Sequence, residues 1–328
     1  MTHLALVVAK VKTETDLIRR IWIKRPDGGV LPGYTAGAHI TLTVPGVGVR
    51  KYSLINASAA PGATEAPTEY QIGVRLEEKS EGGSRYVHGL KAGDAVEIEP
   101  PANAFACVPG PGGTVLIGGG IGITPMLSMA AELMAKGLPF KLAYAARSQQ
   151  DMAFGDEIRA LCGDGLHLHL DQPGGKVFDM AGFLGSLPPE TTVYVCGPKP
   201  MIKAAIDGGR KLGWPAGRVK FELFFSVKGP EPAAKPGLPE GAFEVVLKSS
   251  GKTLLVARDK SILDVLIEAG ADVLSDCRKG ECGVCQVGVI EGTPEHKDVI
   301  LSDAERAAGK LIQVCVSRSK SPRLVLDL

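Results

Sequence analysis

The chain has 328 residues, 45% of them apolar and 22% charged, with 37 Lys and Arg against 36 Asp and Glu and a net charge of +1. This length accommodates two or three domains, and the even charge balance leaves no electrostatic footprint for nucleic acid or an anionic membrane surface. No apolar run approaches the roughly 18–20 residues that span a bilayer, and no basic segment precedes the short N-terminal apolar patch, so a cytoplasmic protein opening on a β-strand is expected.

Residues 1–108 alternate short apolar segments with Gly/Pro turns: HITLTVPG, RKYSLINAS, YQIGVRLEE and DAVEIEPP. Period-two runs of this kind are half-buried strands, and several in succession make an antiparallel barrel. ASAAPGATEAPT (57–68) reads as a solvated loop. The texture changes near residue 113. TVLIGGG is a buried strand, TPMLSMAAELMAKG a helix ending at Gly137, FKLAYAAR a strand, DMAFGDEIRALCG a helix, LHLHLD and TVYVCGP strands, and PMIKAAIDGGRKLG a helix. Strands alternating with helices give an α/β domain with a parallel sheet. VKGPEPAAKPGLPEG (227–241) has no periodicity and is a Pro/Gly-rich linker. Beyond it come a hairpin (FEVVLKSSGKTLLVA), a helix (SILDVLIEAG), a cysteine-rich loop, a strand (CQVGVIEG) and a final strand (IQVCVSR).

The chain holds seven Cys, an odd number that argues against a disulfide framework and for a metal site with leftover thiols. Cys277, Cys282 and Cys285 lie in SDCRKGECGVC, and Cys315 follows on the expected final strand. C-x4-C-x2-C with a distant fourth Cys is the spacing of a plant-type [2Fe–2S] ferredoxin. A zinc site is the alternative, although structural zinc usually pairs two short knuckles rather than three Cys and one alone. Gly280 and Gly283 let backbone N–H groups approach the sulfurs. Cys107 and Cys162 are read as inert thiols.

Gly118-Gly119-Gly120-Ile121-Gly122-Ile123-Thr124-Pro125 sits between a strand and a helix, where backbone N–H groups and the helix dipole favour a pyrophosphate. It departs from G-x-G-x-x-G, and by itself a tight strand–helix turn explains it as well. Cys196-Gly197-Pro198 ends a later strand of the same sheet, at the edge where open α/β sheets bind ligands; core packing is the other explanation for Cys196. In the barrel, Arg50-Lys51-Tyr52-Ser53-Leu54 offers a cation, an aromatic face and a hydroxyl, and Glu81-Gly82-Gly83-Ser84 offers donors for a phosphate. A polar strand face and a turn account for these residues equally.

Taken together, RKYSL, EGGS, GGGIGITPMLSMA, CGPKPM, FELF (221–224), the cysteine loop and the tail VCVSRSKSPRLVLDL resemble the ferredoxin–NADP reductase superfamily, and within it the phthalate dioxygenase reductase family. The resemblance spans essentially the whole chain. It implies a multidomain protein: an FMN-binding β-barrel at 1–108, an NAD(P)H-binding α/β domain at 109–226, the linker at 227–241 and a β-grasp ferredoxin domain at 242–328. Carried over residue by residue, Arg50, Tyr52, Ser53 and Leu54 meet the flavin, with Ser53 near its N5, and Val74 and Arg75 lie on the next flavin-lining strand. Gly82, Gly83 and Ser84 bind the phosphate. Gly119, Gly120, Thr124 and Pro125 cradle the dinucleotide, Cys196, Gly197 and Pro198 lie by the nicotinamide, and Glu222 and Phe224 end that domain beside the flavin. Ser53, Cys196 and Glu222 are thus the expected catalytic residues. Cys277, Cys282, Cys285 and Cys315 hold the cluster. Arg147-Ser148 stands where relatives often have Arg-Asp; Arg plus Ser can accept a 2′-phosphate, so NADH and NADPH both remain open.

The implied activity is that of an oxidoreductase: the reductase of a two-component Rieske-type aromatic-ring oxygenase or O-demethylase, working as a monomer. NAD(P)H yields two electrons at once, the cluster accepts one, and a flavin handles both. Plant-type clusters lie near about −400 mV and Rieske centres at about −150 to +300 mV, so onward transfer is downhill. A cytochrome P450 or a diiron monooxygenase is the alternative acceptor. An iron–sulfur carrier or redox sensor with no nicotinamide site is the alternative of another class. Arg278 and Lys279 are read as either a solvated stretch of the cluster loop or a contact for the acceptor.

Overall fold

The structure is a computed structural model describing residues 3–78, 82–171, 177–215, 217–224, 241–271 and 273–328. The linker expected at 227–241 lies outside these residues apart from Gly241, as does Glu81. Contacts divide the chain into two compact units, Met1–Phe224 and Phe225–Leu328.

The first unit opens with β1 (Leu4–Thr15), β2 (Ile18–Lys24), β3 (His39–Val44), β4 (Gly48–Ser53) and β5 (Glu69–Arg75), then α1 (Gly83–Gly89) and β6 (Ala95–Ala102). These six strands form one antiparallel sheet in the order β4-β3-β6-β1-β2-β5. A bridge between Leu54, just past β4, and Ile72 of β5 joins the two edges into a barrel. Its inward-facing Ile, Leu and Val, with Tyr70, form a core of their own. The sequence pattern missed β2, whose IRRIWIK buries residues on both faces instead of alternating. It also missed α1, a short helix where Gly82-Gly83-Ser84 reads as a turn.

The chain continues as β7 (Thr114–Gly119), α2 (Ile123–Ala135), β8 (Phe140–Ala146), α3 (Gly155–Cys162), β9 (Leu166–Leu170), α4 (Met180–Gly185), β10 (Thr192–Cys196), α5 (Lys199–Lys211) and β11 (Val219–Glu222). The strands form a parallel sheet in the order β11-β10-β7-β8-β9. The chain order reverses between β7 and β10, which is where an open α/β sheet forms its ligand crevice. The helix expected from Asp151 starts only at Gly155, because Phe154 at its N-cap is left-handed, with φ of 60°. Barrel and parallel sheet share one core: Ile18, Ala36, Ile55 and Phe105 pack with α2, α3, Tyr144 and Tyr194.

The second unit comprises β12 (Phe243–Leu247), β13 (Thr253–Val256), α6 (Ile262–Glu268), β14 (Gln286–Glu291), β15 (Pro294–Glu295), α7 (Asp303–Ala308), β16 (Leu311–Gln313), β17 (Arg318–Ser319) and β18 (Arg323–Leu326). Its main sheet runs β13-β12-β18-β14-β16, with β12 and β18 parallel. Helix α6, started by a Ser261–Asp264 capping box, packs its apolar face on this sheet, a β-grasp. The expected final strand IQVCVSR is corrected here. β16 stops at Gln313, Cys315 lies in a turn, and the last strand is RLVL, β18. The turn is closed by the N–H groups of Val316 and Ser317, both bonded to the Gln313 carbonyl.

Candidate functional site

In the first unit the ends of three strands converge. In the parallel ladder Cys196 of β10 lies opposite Gly118 of β7 on one side and Glu222 of β11 on the other. From the barrel, Ser53 at the end of β4 donates its hydroxyl to Oε2 of Glu222 at 3.3 Å. Ser53, Cys196 and Glu222 are thus brought together across the two sheets. Burial pushes the Glu222 carboxyl up to about 7, against the lowering effects of the Ser53 hydrogen bond and the Lys51 charge. Cys196 is fully buried, and burial, then the charge of Glu222, push its thiol well above the usual range. It is therefore a neutral sulfur and not a nucleophile.

The glycines of this edge have two different uses. A Cβ on Gly122 would lie 2.2 Å from the Cys196 carbonyl oxygen, and one on Gly119 would lie 2.7 Å from Sδ of Met201 and 2.8 Å from Pro198. Gly197 likewise rests on the Gly119 backbone. These residues let the two loops pack together. Gly120 is different: it has φ of +53°, and a Cβ there would meet nothing within 4 Å. It borders open space at the start of the 13-residue helix α2, as a backbone cradle for a pyrophosphate requires. Thr124 and Pro125 are buried. The Thr124 hydroxyl donates to the Ile121 carbonyl, and its methyl abuts Gly73 of β5. At the end of β8 Arg147 is exposed, and Ser148 donates its hydroxyl to Oδ2 of Asp151 at 2.7 Å. Sequence reasoning passed over both Gly122 and Asp151. Gly122 was visible only as part of a Gly-rich run, and Asp151 had no spacing signal.

In the barrel the Arg50 side chain crosses Gly83, where a Cβ would lie 2.8 Å from its Cγ, and a Cβ on Gly82 would meet Val47 at 2.8 Å. Gly82 and Gly83 therefore let Val47 and the Arg50 stem pack against this segment, which brings the Arg50 Nε within 3.3 Å of a Cβ at Gly83 and places a cation beside the backbone where FMN's phosphate would bind. The Ser84 hydroxyl accepts the N–H of Glu77, Arg75 pairs with Glu77 at 2.8 Å, and the Val74 carbonyl meets Nε2 of His88. Tyr52 is half-buried, its hydroxyl pushed up to about 12 by burial. The Leu54 side chain belongs to the barrel core, leaving only its backbone for a ligand. Phe224 is exposed.

In the second unit Cys277, Cys282, Cys285 and Cys315 converge with no disulfide among them. They form two pairs. Cys277 is pushed down to about 5, first by the hydrogen bond with Cys282 and then by backbone N–H groups, while Cys285 is lowered first by Cys315. Four thiols as two pairs is the donor set of two irons, one pair to each. The loop is shaped for N–H donation to sulfur. Arg278 is left-handed at φ 53°, which turns the Lys279 N–H back to Sγ of Cys277 at 3.3 Å, and the Val284 N–H reaches Sγ of Cys282 at 3.5 Å. Gly280, at φ +71°, packs against Val316 and Asp298 where a Cβ would clash. The Arg278 guanidinium is bound to Asp264 of α6 at 3.0 Å and so anchors the loop.

Comparison with known proteins agrees with this geometry. Residues 245–320 match the 2Fe-2S iron-sulfur cluster binding domain and residues 116–167 the oxidoreductase NAD-binding domain. The chain is 40% identical to the tetrachlorobenzoquinone reductase of Sphingobium chlorophenolicum, over 93% of this chain and 92% of that one. It is 37% identical to the vanillate O-demethylase oxidoreductase of a Pseudomonas species, over 98% and 99%. Among solved structures, a phthalate dioxygenase reductase, described as transferring electrons from pyridine nucleotides to [2Fe–2S], aligns with a TM-score of 0.63 and 35% identity over 99% of this chain and 98% of its own. Matched at 35–40% identity along more than nine-tenths of its length, this oxidoreductase belongs to the phthalate dioxygenase reductase family.

Proposed function

We propose that this chain takes electrons from NADH and delivers them, through FMN and its own [2Fe–2S] centre, to a Rieske-type oxygenase or O-demethylase. The observation that carries the reading is the Ser53–Glu222–Cys196 convergence in the same chain as two pairs of cluster-ligand thiols. When bound, FMN accepts a hydride from the nicotinamide and releases electrons singly, in the unit the cluster accepts.

The protein's part is positioning and electrostatics. Arg50, packed against Gly83, would hold the flavin phosphate, with Gly82 and Ser84 beside it. Gly120 at the start of α2 admits the pyrophosphate, and Gly119, Gly122 and Gly197 bring the Cys196 loop against it. Cys196 is a small neutral sulfur buried in the core at the end of β10, where it would back the nicotinamide rather than touch solvent. Glu222 orients the Ser53 hydroxyl and can take up or release a proton at Oε2 near neutral pH. Preference for NADH is drawn from Asp151. Held by Ser148, its carboxylate accepts a ribose 2′-hydroxyl and repels a 2′-phosphate, the task of the acid found in the usual dinucleotide fold. The domain limits proposed are 1–108, 109–226, 227–241 and 242–328. A monomer in the cytoplasm is part of the same reading, and among the described residues no helix is long and apolar enough to cross a membrane.

Likeness to a tetrachlorobenzoquinone reductase supports a second reading, direct reduction of a quinone. An anaerobic titration with NADH and, separately, NADPH, followed by visible absorption and low-temperature EPR, tests the electron path. The expected result is bleaching of a flavin-plus-cluster spectrum, faster with NADH, and a rhombic signal of the reduced centre. Cluster absorption that neither nucleotide bleaches would reduce the protein to a carrier or sensor. Turnover of a quinone that persists after the cluster is lost would favour the second reading.

A further inference from the structure

Gln313, at the end of β16, is completely buried, so both ends of its amide need partners within the protein. Its Oε1 lies 3.6 Å from Sγ of Cys285, accepting from the thiol, and its Nε2 donates to Oε1 of Gln286 at 3.1 Å. Gln286 is its cross-strand neighbour in β14. The Gln313 carbonyl also accepts the N–H groups of Val316 and Ser317, closing the turn that carries Cys315. One residue thus serves both members of the Cys285–Cys315 pair, Cys315 through its backbone and Cys285 through its side chain.

That contact suits a thiol. A sulfur bound to metal has lost its proton and only accepts. Two acceptors facing each other at 3.6 Å, both buried, would leave the pair unsatisfied. An amide turned end for end replaces the oxygen by an N–H with almost no movement of heavy atoms, and the half-buried Gln286 can turn with it and donate to the Gln313 oxygen. We infer that Gln313 is the side-chain hydrogen-bond donor to the Cys285 sulfur of the [2Fe–2S] centre and that this bond raises the centre's reduction potential. The sign follows from charge. Reduction places an added electron on the centre and its sulfurs, and an N–H donor stabilises the more negative state more. Cys277 and Cys282 receive backbone N–H groups, which substitution does not remove. The Gln313 amide is a donor that a single substitution does remove.

The inference rests on these thiols holding the cluster, and the experiment separates the two claims. Full-length Gln313→Leu keeps the buried bulk and loses the donor. Redox titration of the cluster, read by EPR, is expected to show a lower midpoint, at least a tenfold drop in the reduced-to-oxidised ratio at a given potential, or 59 mV for a one-electron couple. Wild-type protein labelled with 15N at the glutamine side-chain amides is expected to show 15N coupling to the reduced centre in pulsed EPR. Gln286→Leu should retain that coupling and Gln313→Leu should lose it. A fully loaded Gln313→Leu with an unchanged midpoint overturns the inference and leaves the proposed function standing. If Gln313→Leu assembles no cluster, the wild-type spectrum decides, and absence of 15N coupling there overturns the inference. A wild-type protein with no iron–sulfur spectrum would overturn the proposed function as well.

Discussion

Glu222 lies opposite Cys196 in the parallel ladder, where its charge adds to burial in raising the Cys196 thiol. The Glu222 carboxyl is raised above its unfolded value of about 4.5 to about 7. Its contribution to stability is therefore complete below pH 4.5 and lost as pH rises toward 7. In the folded protein its charge appears around pH 7, beside Ser53. Glu222→Gln should abolish a step near pH 7 in the rate of flavin reduction by NADH and flatten that part of the stability profile; a step that survives the substitution would show that another group titrates. Cys196 acts by shape, being neutral and buried. Cys196→Ala should slow flavin reduction about tenfold or more, ~1.4 kcal/mol of barrier, with NADH affinity little changed. Stopped-flow traces at several NADH concentrations separate the two parameters.

At the scale of elements, the active edge exists because two loops approach to backbone contact. Gly122 has an ordinary φ of −63°, so alanine meets no backbone strain there, only the Cys196 carbonyl 2.2 Å away. Gly122→Ala should cost about 1–3 kcal/mol or more through overlap and part the two loops. Urea unfolding followed with NADH titration would detect both effects; unchanged stability would mean that the loops are not in contact. The cluster loop shows a comparable fit. Arg278, which the sequence offers as a solvated residue or an acceptor contact, instead ties the loop to Asp264 of α6, and its left-handed backbone aims the Lys279 N–H at Cys277.

The whole molecule is two units that share no core: the first holds two clusters, the barrel's own and the one the barrel shares with the parallel sheet, and the second holds one, of residues from Phe243 onward. Loss of the cluster should therefore leave the nicotinamide and flavin steps untouched. Cys282→Ala is expected to abolish the cluster signal and electron delivery while flavin reduction by NADH continues at the wild-type rate; equal loss of both would contradict independent units. Within the first unit the barrel and parallel sheet are joined by Arg20. It is buried over Trp22 and Phe154, bonded to Gln71, and paired with Glu157 of α3 at 2.5 Å. Arg20→Ala leaves Glu157, whose side chain is 29% exposed, without its cation and should cost about 1.5–3 kcal/mol by denaturant unfolding. Arg20→Met, which restores apolar bulk, should recover part of that loss.

Local chemistry was readable from residue order alone. The cysteine spacing announced two irons because ligand spacing in a loop is covalent, and the alternation of strands and helices announced the parallel sheet because side-chain periodicity follows backbone geometry. FELF and CGP could be named from resemblance, but no local pattern says that Glu222 lies beside Cys196 or that Ser53 reaches it from another sheet. β2 escaped because burial on both faces removes the alternation that marks a strand. Cys315 was placed on a strand because IQVCVSR alternates, whereas its turn depends on the Gln313 carbonyl binding two later N–H groups. Asp151 and Gln313 carried no signal, and Gly122 only that of its Gly-rich run, for the same reason: their roles come from what folding places beside them, and proximity between distant segments is set by packing, not by position along the chain.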